Sequence, residues 1–239
     1  MRNLPKQGQL TKYLKAKLKE ETDAISKAAN PKVEAERRFD NARKTQWFKP
    51  VVDKLKRLSG TGQRCMYCSG SEASDVEHFR PKAVFPLLAM TWDNYLWICT
   101  PCNRHKGDRF PPNTEPGGEF VNPLQENVWQ FFFIDEFGFL SPIYDRSLGA
   151  LNPRGVSTRD LIDLNREAVQ QSRQARLKDL KAQVREVIRQ LKSKQISKAA
   201  AKRKIQDWKR QPFQPDVADY FLNGPGESES PFKELLSRL

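Results

Sequence analysis

Apolar residues recur at helical spacing in the first quarter of the chain. The pattern predicts a helix over residues 10–28, capped by Thr11 and ended before Pro31. A second helix is predicted from Pro31 to about Leu58; Pro31 suits a first-turn position, and Pro50 is a point at which the segment can break or kink. The apolar side chains of this segment are expected to pack against the middle of the chain: Phe39, Trp47, Phe48, Val51, Val52 and Leu55.

The middle of the chain alternates short apolar stretches with turn residues, a pattern typical of strands. Residues 76–78 read as the end of a strand that Pro81 stops. A Pro/Gly-rich loop begins at residue 111. The stretch FFFIDEFGFLSP that follows predicts a β-hairpin, with one strand over 131–134, a turn at DEFG and a second strand from Phe139 onward. Its aromatic side chains are expected in the core or on the hairpin face.

Beyond the hairpin the apolar residues return to a helical period. Ser157 and Asp160 form a capping-box pattern at the start of a predicted long helix. Its apolar positions recur at spacings of three and four: Leu161, Leu164, Ala168, Ala175, Leu180, Val184, Val187 and Leu191. A turn and a second basic helix are predicted over 193–211, and a short helix over 216–222. The last residues read as a flexible linker followed by an amphipathic tail.

Charge is unevenly distributed along the chain, whose net charge is +13. Residues 1–64 and 158–212 each carry +10, whereas residues 65–157 carry −4 and residues 213–239 carry −3. Two basic segments therefore flank a mildly acidic middle that contains all the cysteines and both histidines. Basic surfaces attract phosphate polymers, so nucleic acid is the expected partner. Solvated helix faces, or docking on an acidic protein, are the alternatives.

Composition narrows the class of protein. Hydrophobic residues make up 38% and charged residues 30% of the chain, which is polar for a globular protein but too aromatic for a disordered one. No apolar run approaches a membrane span, and the stretch MRNLPKQGQLTKYLKAKLKEE lacks the apolar region of a signal peptide. We therefore expect a cytoplasmic protein without membrane contact. Thiols stay reduced in that compartment, so two CxxC pairs favour a metal over disulfides.

Two cysteine pairs, CMYC at 65–68 and CTPC at 99–102, have the spacing of a four-thiolate zinc site. Each pair can bind one ion from a tight turn, and two pairs complete a tetrahedron. A closed site of this kind is structural, because it leaves no coordination position for water. The predicted ligands are Cys65, Cys68, Cys99 and Cys102. Nucleobase deaminases also hold zinc at a PCxxC motif, but they need an HxE pattern, which this chain lacks.

Oxygen and imidazole donors lie between and beside the cysteine pairs. Glu77 and His78 are adjacent at the predicted strand end, where a carboxylate can hold a hard divalent cation and a neutral imidazole can take a proton from water. Asn103 directly follows Cys102. In a helix that starts at the second cysteine pair, its amide oxygen projects from the first turn as a second cation ligand. Asn94 is expected to pin the connecting loop through hydrogen bonds to the backbone.

These residues together resemble the HNH motif of the ββα-metal nucleases. The resemblance rests on EH at 77–78, on Asn94 and on CTPCNRHKG at 99–107, which occur in the motif's order. It implies that His78 is the general base that activates water and that Asn94 orients the loop that carries it. Glu77 and Asn103 are the implied ligands of a catalytic magnesium or manganese ion, and the implied reaction is one-metal hydrolysis of a phosphodiester.

Two positions depart from that motif. Asn103 stands where the family name has its last histidine, a variant the family often shows (HNN), and Glu77 stands where an aspartate is usual, which moves the carboxylate by one methylene. His105 is not at the motif's histidine position and is expected at the surface or facing phosphate. Nearby basic residues are candidate nucleic-acid contacts, with simple solvation as the alternative: Arg80, Lys82, Arg104 and Lys106.

A broader resemblance is to the PtuB-type HNH proteins of bacterial antiphage systems, namely Septu and some retrons. It rests on EHFRPK, WDNYLWICTPCNRHKGDRFP, VNP and LIDLNREAVQQSR, and extends over most of residues 60–190. It implies a nuclease that acts beside an ABC-type ATPase (PtuA-like). The basic helices or the tail are candidates for docking on that partner, and packing of the tail on its own domain is the alternative. The tail residues concerned are Phe232, Leu235, Leu236 and Leu239.

The resulting expectation is an α+β protein with a small zinc-bound ββα-metal (HNH) core embedded in a mainly helical chain. Four segments are predicted: a basic N-terminal helical segment (1–60), the zinc-bound nuclease core with its hairpin (61–157), a basic helical region (158–222), and a linker with a short amphipathic tail (223–239). The predicted function is a metal-dependent endonuclease, DNA favoured, acting in antiphage defence. The alternatives are a non-catalytic zinc-finger module that binds nucleic acid, and an HNH nuclease that cleaves RNA or tRNA.

Overall fold

The computed structural model describes residues 1–71, 73–111 and 120–239. Three helices precede the cysteine-rich middle: α1 (Lys12–Ser26), α2 (Pro31–Ala42) and α3 (Lys49–Leu58). Thr11 caps α1 as predicted, because its side chain accepts a hydrogen bond from the Leu14 amide. The single helix predicted from Pro31 to Leu58 is wrong. The chain leaves the helical path between α2 and α3, and Pro50 lies in the first turn of α3 rather than at the break.

Burial of two aromatic rings explains the break between α2 and α3. In one continuous helix Phe39 and Phe48, nine residues apart, would project about 180° from each other. Both side chains are instead buried, with ring centroids 5.9 Å apart. They also contact the same residue of the middle region, since Tyr95 lies 5.9 Å from Phe39 and 5.8 Å from Phe48. The predicted packing of these aromatics against the middle of the chain is confirmed.

A two-stranded sheet and a helix form the middle region. Strands β1 (Asp75–His78) and β2 (Tyr95–Ile98) are antiparallel, with Val76 opposite Trp97 and His78 opposite Tyr95. Helix α4 (Thr100–Lys106) follows directly, with Cys99 as its N-cap and Pro101 in its first turn. The predicted strand end and the helix at the second cysteine pair are therefore confirmed.

Two hairpins follow. The predicted hairpin is present as β3 (Phe132–Ile134) and β4 (Leu140–Pro142), with Phe132, Ile134 and Leu140 turned into the core and Phe133 and Phe139 exposed. A second hairpin, β5 (Tyr144–Asp145) and β6 (Ala150–Leu151), was not predicted. Most of the Pro/Gly-rich loop, residues 112–119, lies outside the described residues.

Five helices complete the chain: α5 (Pro153–Leu161), α6 (Glu167–Lys192), α7 (Lys198–Arg210), α8 (Pro215–Asn223) and α9 (Phe232–Ser237). The predicted capping box at Ser157 and Asp160 is wrong, because both residues lie inside α5. The N-cap of α5 is Asn152, whose side chain accepts from the Gly155 amide. The helices predicted over 193–211 and 216–222 are confirmed as α7 and α8.

The predicted long helix is divided between α5 and α6. Ile162 and Leu164 are both fully buried, although residues two apart on one helix point in widely different directions. Asp163 between them adopts a left-handed conformation, with φ 53°. The chain thus leaves the helix where two closely spaced apolar side chains must both enter the core.

The C-terminal residues pack on the rest of the protein. Residues 223–230, predicted as a flexible linker, contain a 3₁₀ turn at Pro225–Ser228 in which Gly226 is buried against Tyr220 and Phe221. In α9, Phe232 is fully buried and its ring stacks on Phe221 at 4.8 Å. The tail was considered either as a docking segment for a partner or as a segment that packs on its own domain. In the structure it packs on its own chain.

Buried apolar residues from all four predicted segments form one continuous core. The segment boundaries themselves stay a prediction. The mixed helix-and-sheet class is confirmed, with small sheets in a mainly helical chain. Across the described residues, no helix combines the length and the apolarity that crossing a membrane requires.

Candidate functional site

The four cysteine side chains converge where the turn that contains Cys65 and Cys68 meets the end of β2 and the start of α4. Their sulfur atoms all lie within 4.8 Å of one another, and all four residues are buried and free of disulfides. The Sγ atoms of Cys68 and Cys99 are 3.8 Å apart. A tetrahedral zinc site with Zn–S bonds of about 2.3 Å has sulfur–sulfur edges of about 3.8 Å. The donor set therefore fits zinc, as the spacing of Cys65, Cys68, Cys99 and Cys102 predicts.

Backbone hydrogen bonds hold the two cysteine turns in place. The Ser69 amide donates to the Cys65 carbonyl at 2.9 Å, which closes the first turn, and the Met66 amide donates to the Trp97 carbonyl of β2 at 3.0 Å. The Asn103 amide donates to the Cys99 carbonyl at 3.0 Å at the start of α4. The first cysteine pair is thus tied to the strand that leads directly into the second pair.

Arg166 approaches the sulfur cluster from the start of α6. Its guanidinium donates to Cys102 Sγ at 3.5 Å and to Cys99 Sγ at 3.9 Å. Burial lowers the pKa of Arg166, but the thiolates of Cys102 and Cys68 outweigh it and raise that pKa above its usual value. Four thiolates on Zn²⁺ leave a net charge of −2, so a guanidinium at this position stabilises the loaded site. Arg166 was not predicted as a site residue, because it is 64 residues from Cys102 and no local motif includes it.

A cavity of about 180 Å³ lies beside the cluster and brings together three of the predicted site residues, Glu77, His78 and Asn103. Asn103 reaches it from the first turns of α4, and the other two from the end of β1. The remaining lining is strongly charged and also includes one aromatic ring. Seven of the lining residues were not predicted to belong to the site, and those with a charged or aromatic side chain are Arg43, Asp75, Asp108 and Phe39.

His78 is held in one tautomer by its surroundings. Its side chain is 2% exposed, and Nε2 lies 2.9 Å from the Ala89 carbonyl oxygen, which also accepts a hydrogen bond from Tyr95 Oη at 2.8 Å. A carbonyl only accepts, so Nε2 carries the proton and Nδ1 has the free lone pair. The Phe39 ring packs against the imidazole with centroids 4.4 Å apart.

Burial keeps His78 neutral near pH 7. It lowers the pKa of His78 to about 3, an effect that Lys82 and Lys106 reinforce and that the hydrogen bond to Ala89 only partly offsets. The imidazole is thus in the protonation state a general base needs. A base with so low a pKa is weak, and an anion brought near it would raise that pKa.

Glu77 is paired with a buried cation. Lys106 Nζ lies 2.8 Å from Glu77 Oε1; the lysine side chain is 0% exposed and the glutamate 15%. Burial raises the pKa of Glu77 above its usual value, although the Lys106 ammonium opposes that shift. Lys106 was a candidate phosphate contact. In the structure its ammonium is buried and binds Glu77, the carboxylate that the resemblance assigns to a metal.

The oxygen donors that face the cavity suit a hard cation. A carboxylate from Glu77 and an amide from Asn103 are ligands that Mg²⁺ takes in proteins, where waters and substrate phosphates complete its shell. Glu77 already binds a cation here, in the form of the Lys106 ammonium. In the described ranges the four cysteines are the one group of three or more His, Cys, Asp or Glu ligands. Protein oxygens for a metal ion at the cavity would come from Glu77 and Asn103, with the carboxylates of Asp75 and Asp108 also in its lining, and non-protein oxygens would complete the shell.

Asn94 lies outside the cavity and clamps the loop between the strands. Its Oδ1 accepts from the Arg80 amide at 2.8 Å, and its Nδ2 donates to the carbonyls of Arg80 and Leu88, each at 3.0 Å. The expected backbone hydrogen bonds are present. They fix both ends of the loop that supplies Ala89 to His78.

The remaining candidate contacts are dispersed. Lys82 lines the cavity, with Nζ 5.7 Å from the Phe39 ring centroid. Arg80 instead lines a separate cavity of about 410 Å³ with Asn94, and Arg104 is exposed on α4. His105 is half-exposed and lies 3.5 Å from the Asp163 carboxylate, a surface position as expected.

The geometry defines a mixed helix-and-sheet protein with a buried four-cysteine cluster that can hold zinc beside a charged cavity. The chain is similar to the Septu protein PtuB of Bacillus thuringiensis: it is 34% identical over a region covering 59% of this chain and 51% of that protein. The Septu protein PtuB of Bacillus mycoides (strain KBAB4) is 28% identical over 32% of this chain and 36% of its own length. The chain thus spans about half the length of the first relative. No protein-family model matches the chain.

Proposed function

We propose that the chain is a metal-dependent endonuclease of the HNH type that hydrolyses phosphodiester bonds in nucleic acid, with DNA favoured. One observation carries the proposal. The order β1, β2, α4 and the cysteine cluster bring an imidazole, a carboxylate and an amide oxygen, those of His78, Glu77 and Asn103, to one cavity. A module that only binds nucleic acid has no need of a buried neutral histidine at such a position.

His78 is the proposed general base. Its Nε2 proton is committed to the Ala89 carbonyl, so Nδ1 is the nitrogen that takes a proton from the attacking water. Hydrogen bonds from Tyr95 to Ala89 and from Asn94 to the loop keep the ring from turning. The negative phosphate of a bound substrate raises the pKa of the imidazole and so strengthens it as a base.

Glu77 and Asn103 are the proposed ligands of a magnesium or manganese ion. Such an ion, when bound, would polarise the phosphate and neutralise charge on the leaving oxygen. Lys82 lines the cavity and is the cation there that can contact a phosphate, whereas Arg43, which also lines it, is paired with Asp75 at 3.6 Å. Lys106 must share Glu77 with the metal or move away from it.

The similarity to Septu PtuB proteins supports an assignment to antiphage defence. On this proposal the chain is a PtuB-type component that acts with an ABC-type ATPase. The chain matches about half of the Bacillus thuringiensis relative. The ATPase partner and the defence role are therefore part of the proposal, as the nuclease activity is.

A matched pair of histidine variants tests the activity. The chain has only two histidines, so His105→Ala, at the surface, is the control for His78→Asn. We expect supercoiled DNA to be cut with Mg²⁺ or Mn²⁺ by wild type and His105→Ala, and at least 100-fold more slowly by His78→Asn. Zinc content and circular dichroism should be unchanged in both variants.

The assay should run with and without an ABC-type ATPase encoded beside the gene, and with RNA and tRNA in parallel. Cleavage by His78→Asn at the wild-type rate would refute the assignment of the base. Salt-sensitive binding without cleavage under every metal and with the partner present would favour the non-catalytic module. Cleavage of RNA alone would move the substrate to RNA and leave the chemistry unchanged.

A further inference from the structure

The second helix of the C-terminal basic region carries a concentrated positive charge. Helix α7 has 13 residues, of which six are cations and one is an acid, Asp207. The cations are Lys198, Lys202, Arg203, Lys204, Lys209 and Arg210. All are exposed except Lys209, which is half-buried. The apolar residues Ala201, Ile205 and Trp208 are buried on the opposite side, at the spacing of a single helix face.

The cations of α7 are not held in ion pairs. Within the described ranges none of the six forms one. Helix α3 shares this feature among the described residues, but there Lys54 and Lys56 lie over the rings of Trp92 and Trp97. Three other basic helices compensate part of their charge locally: Lys17 pairs with Glu20 in α1, Arg37 with Glu34 in α2, and Arg189 with Glu186 in α6. Lys198 and Lys202, four residues apart, repel each other, so this arrangement weakens the helix. A ligand of opposite charge would relieve that repulsion.

The face of α7 suits a phosphate backbone better than a protein or a membrane. A protein interface has an apolar centre, and a membrane-surface helix inserts an apolar face. The apolar side chains of α7 are already used in the core, and its outward side presents charge and the small residues Ala199 and Ala200. Phosphate contacts need only positive charge and position. The row from Lys198 to Lys209 spans about 17 Å, the length of about five phosphates of one DNA strand.

The end of α7 adjoins the cysteine region. Pro212, just after the helix, packs on Gly62, where an added Cβ would lie 2.6 Å from Pro212 Cβ. Gly62 adopts φ 74° and precedes the first cysteine of the cluster by three residues. Gln214 similarly packs on Gly70, with its Nε2 2.7 Å from an added Cβ. The residues that follow α7 therefore pack on both sides of the first cysteine pair.

We propose that the exposed face of α7 binds the sugar-phosphate backbone of the nucleic acid on which the protein acts. This inference rests on the proposed function, because that function identifies nucleic acid as the ligand. It assigns substrate binding to a surface that is separate in sequence from the β1–β2–α4 unit. The face holds the substrate by charge alone, so it contributes affinity without sequence preference.

Salt-dependent binding by two matched triple variants tests the proposal. Lys198→Gln/Lys202→Gln/Arg203→Gln changes α7, and Lys12→Gln/Lys15→Gln/Lys19→Gln removes the same charge from exposed positions of α1. Glutamine is a good helix former, so both should fold, which circular dichroism checks. Both are made in the His78→Asn background, so that a labelled DNA duplex of about 30 base pairs stays intact during fluorescence anisotropy over a range of salt concentrations, roughly 50–300 mM.

We expect the α7 variant to bind at least tenfold more weakly at about 100 mM salt. The plot of log K against log salt should become shallower by about 0.9 for each phosphate that the variant no longer neutralises. The α1 variant should change binding less than about threefold. Equal weakening in the two variants, or unchanged binding by the α7 variant, would overturn the proposal. The proposal would also be overturned if the α7 variant kept its DNA binding but bound a polyglutamate probe more weakly than its parent. That result would indicate an acidic protein as the partner of this surface.

The two proposals fail separately. If His78→Asn abolishes cleavage while the α7 variant binds as its parent does, only the surface assignment is wrong. If the α7 variant no longer binds DNA while wild type never cleaves, the surface stands and the nuclease does not.

Discussion

The ion pair between Lys106 and Glu77 permits a quantitative test of how the candidate site is held. Three variants are compared with wild type: Glu77→Gln, Lys106→Met and the double variant. Glu77→Gln removes the charge that neutralises the Lys106 ammonium, which is 0% exposed. The other hydrogen bond of that ammonium, to the Gly107 carbonyl, is 3.4 Å long and is too weak to replace the ion pair. Lys106→Met keeps an unbranched side chain, one atom shorter and without charge, and leaves a carboxylate that is 15% exposed.

The two single variants should differ in cost. Breaking a buried pair by removing one partner costs about 3–5 kcal/mol, and Glu77→Gln should lie in that range because the ammonium cannot reach water. Lys106→Met should cost less, about 1–2 kcal/mol, because Glu77 already has a raised pKa and can take up a proton. The double variant leaves no unpaired charge and should cost about 1–2 kcal/mol in total, giving a coupling energy of about 3–5 kcal/mol.

Urea unfolding of the zinc-loaded protein at about pH 7.5 measures the four free energies. Zinc content is determined for each variant, since loss of the metal would mask the effect of the pair. A coupling energy below about 0.5 kcal/mol would refute the reasoning, because the free-energy changes of two substitutions add when the two side chains do not interact. It would mean that Lys106 does not rest on Glu77 in solution and that the carboxylate is freely available to a metal.

Two further predictions concern the histidine and the zinc cluster. The pKa of His78, usually 6.5, is lowered to about 3 in the folded protein, so its stabilising contribution is complete above pH 6.5 and is lost as the pH falls towards 3. Between about pH 6.5 and 5 the free energy of unfolding of wild type should therefore fall by up to about 1.4 kcal/mol per pH unit more than that of His78→Asn; equal slopes would contradict the buried neutral imidazole. Arg166→Met should release zinc to a chelator about tenfold faster than wild type, with Arg166→Lys between them; identical rates would show that the guanidinium does not stabilise the thiolates.

Local rules predicted much of the secondary structure because their causes are local. Thr11 caps α1, and Asn30 caps α2 with Pro31 in its first turn, through side-chain and backbone groups within three residues. The same holds for the hairpin at β3 and β4, whose alternating burial is present in the sequence. The capping box at Ser157 failed because Asn152 and Pro153 supply a stronger start five residues earlier.

Interruptions of helices were missed because they are set by contacts between distant residues. A continuous helix through Phe39 and Phe48 satisfies every local preference but cannot bring both rings to Tyr95. Burial of two large aromatic side chains outweighs the few tenths of a kcal/mol per residue that separate helix propensities. The break at Asp163 has the same origin, in the burial of its two apolar neighbours.

The sequence by itself determined the chemistry available to this protein: four thiolates at zinc spacing, an imidazole beside a carboxylate, and the amide of Asn103. Ligand identity and spacing are written in the chain, so they are readable without coordinates. Only the tertiary structure decided the state of those groups. It places Lys106 on Glu77, the Ala89 carbonyl on His78 Nε2 and Arg166 on the sulfurs, across separations of 29, 11 and 64 residues. Protonation and charge depend on burial and on partners brought together by folding, and no periodicity along the chain records them.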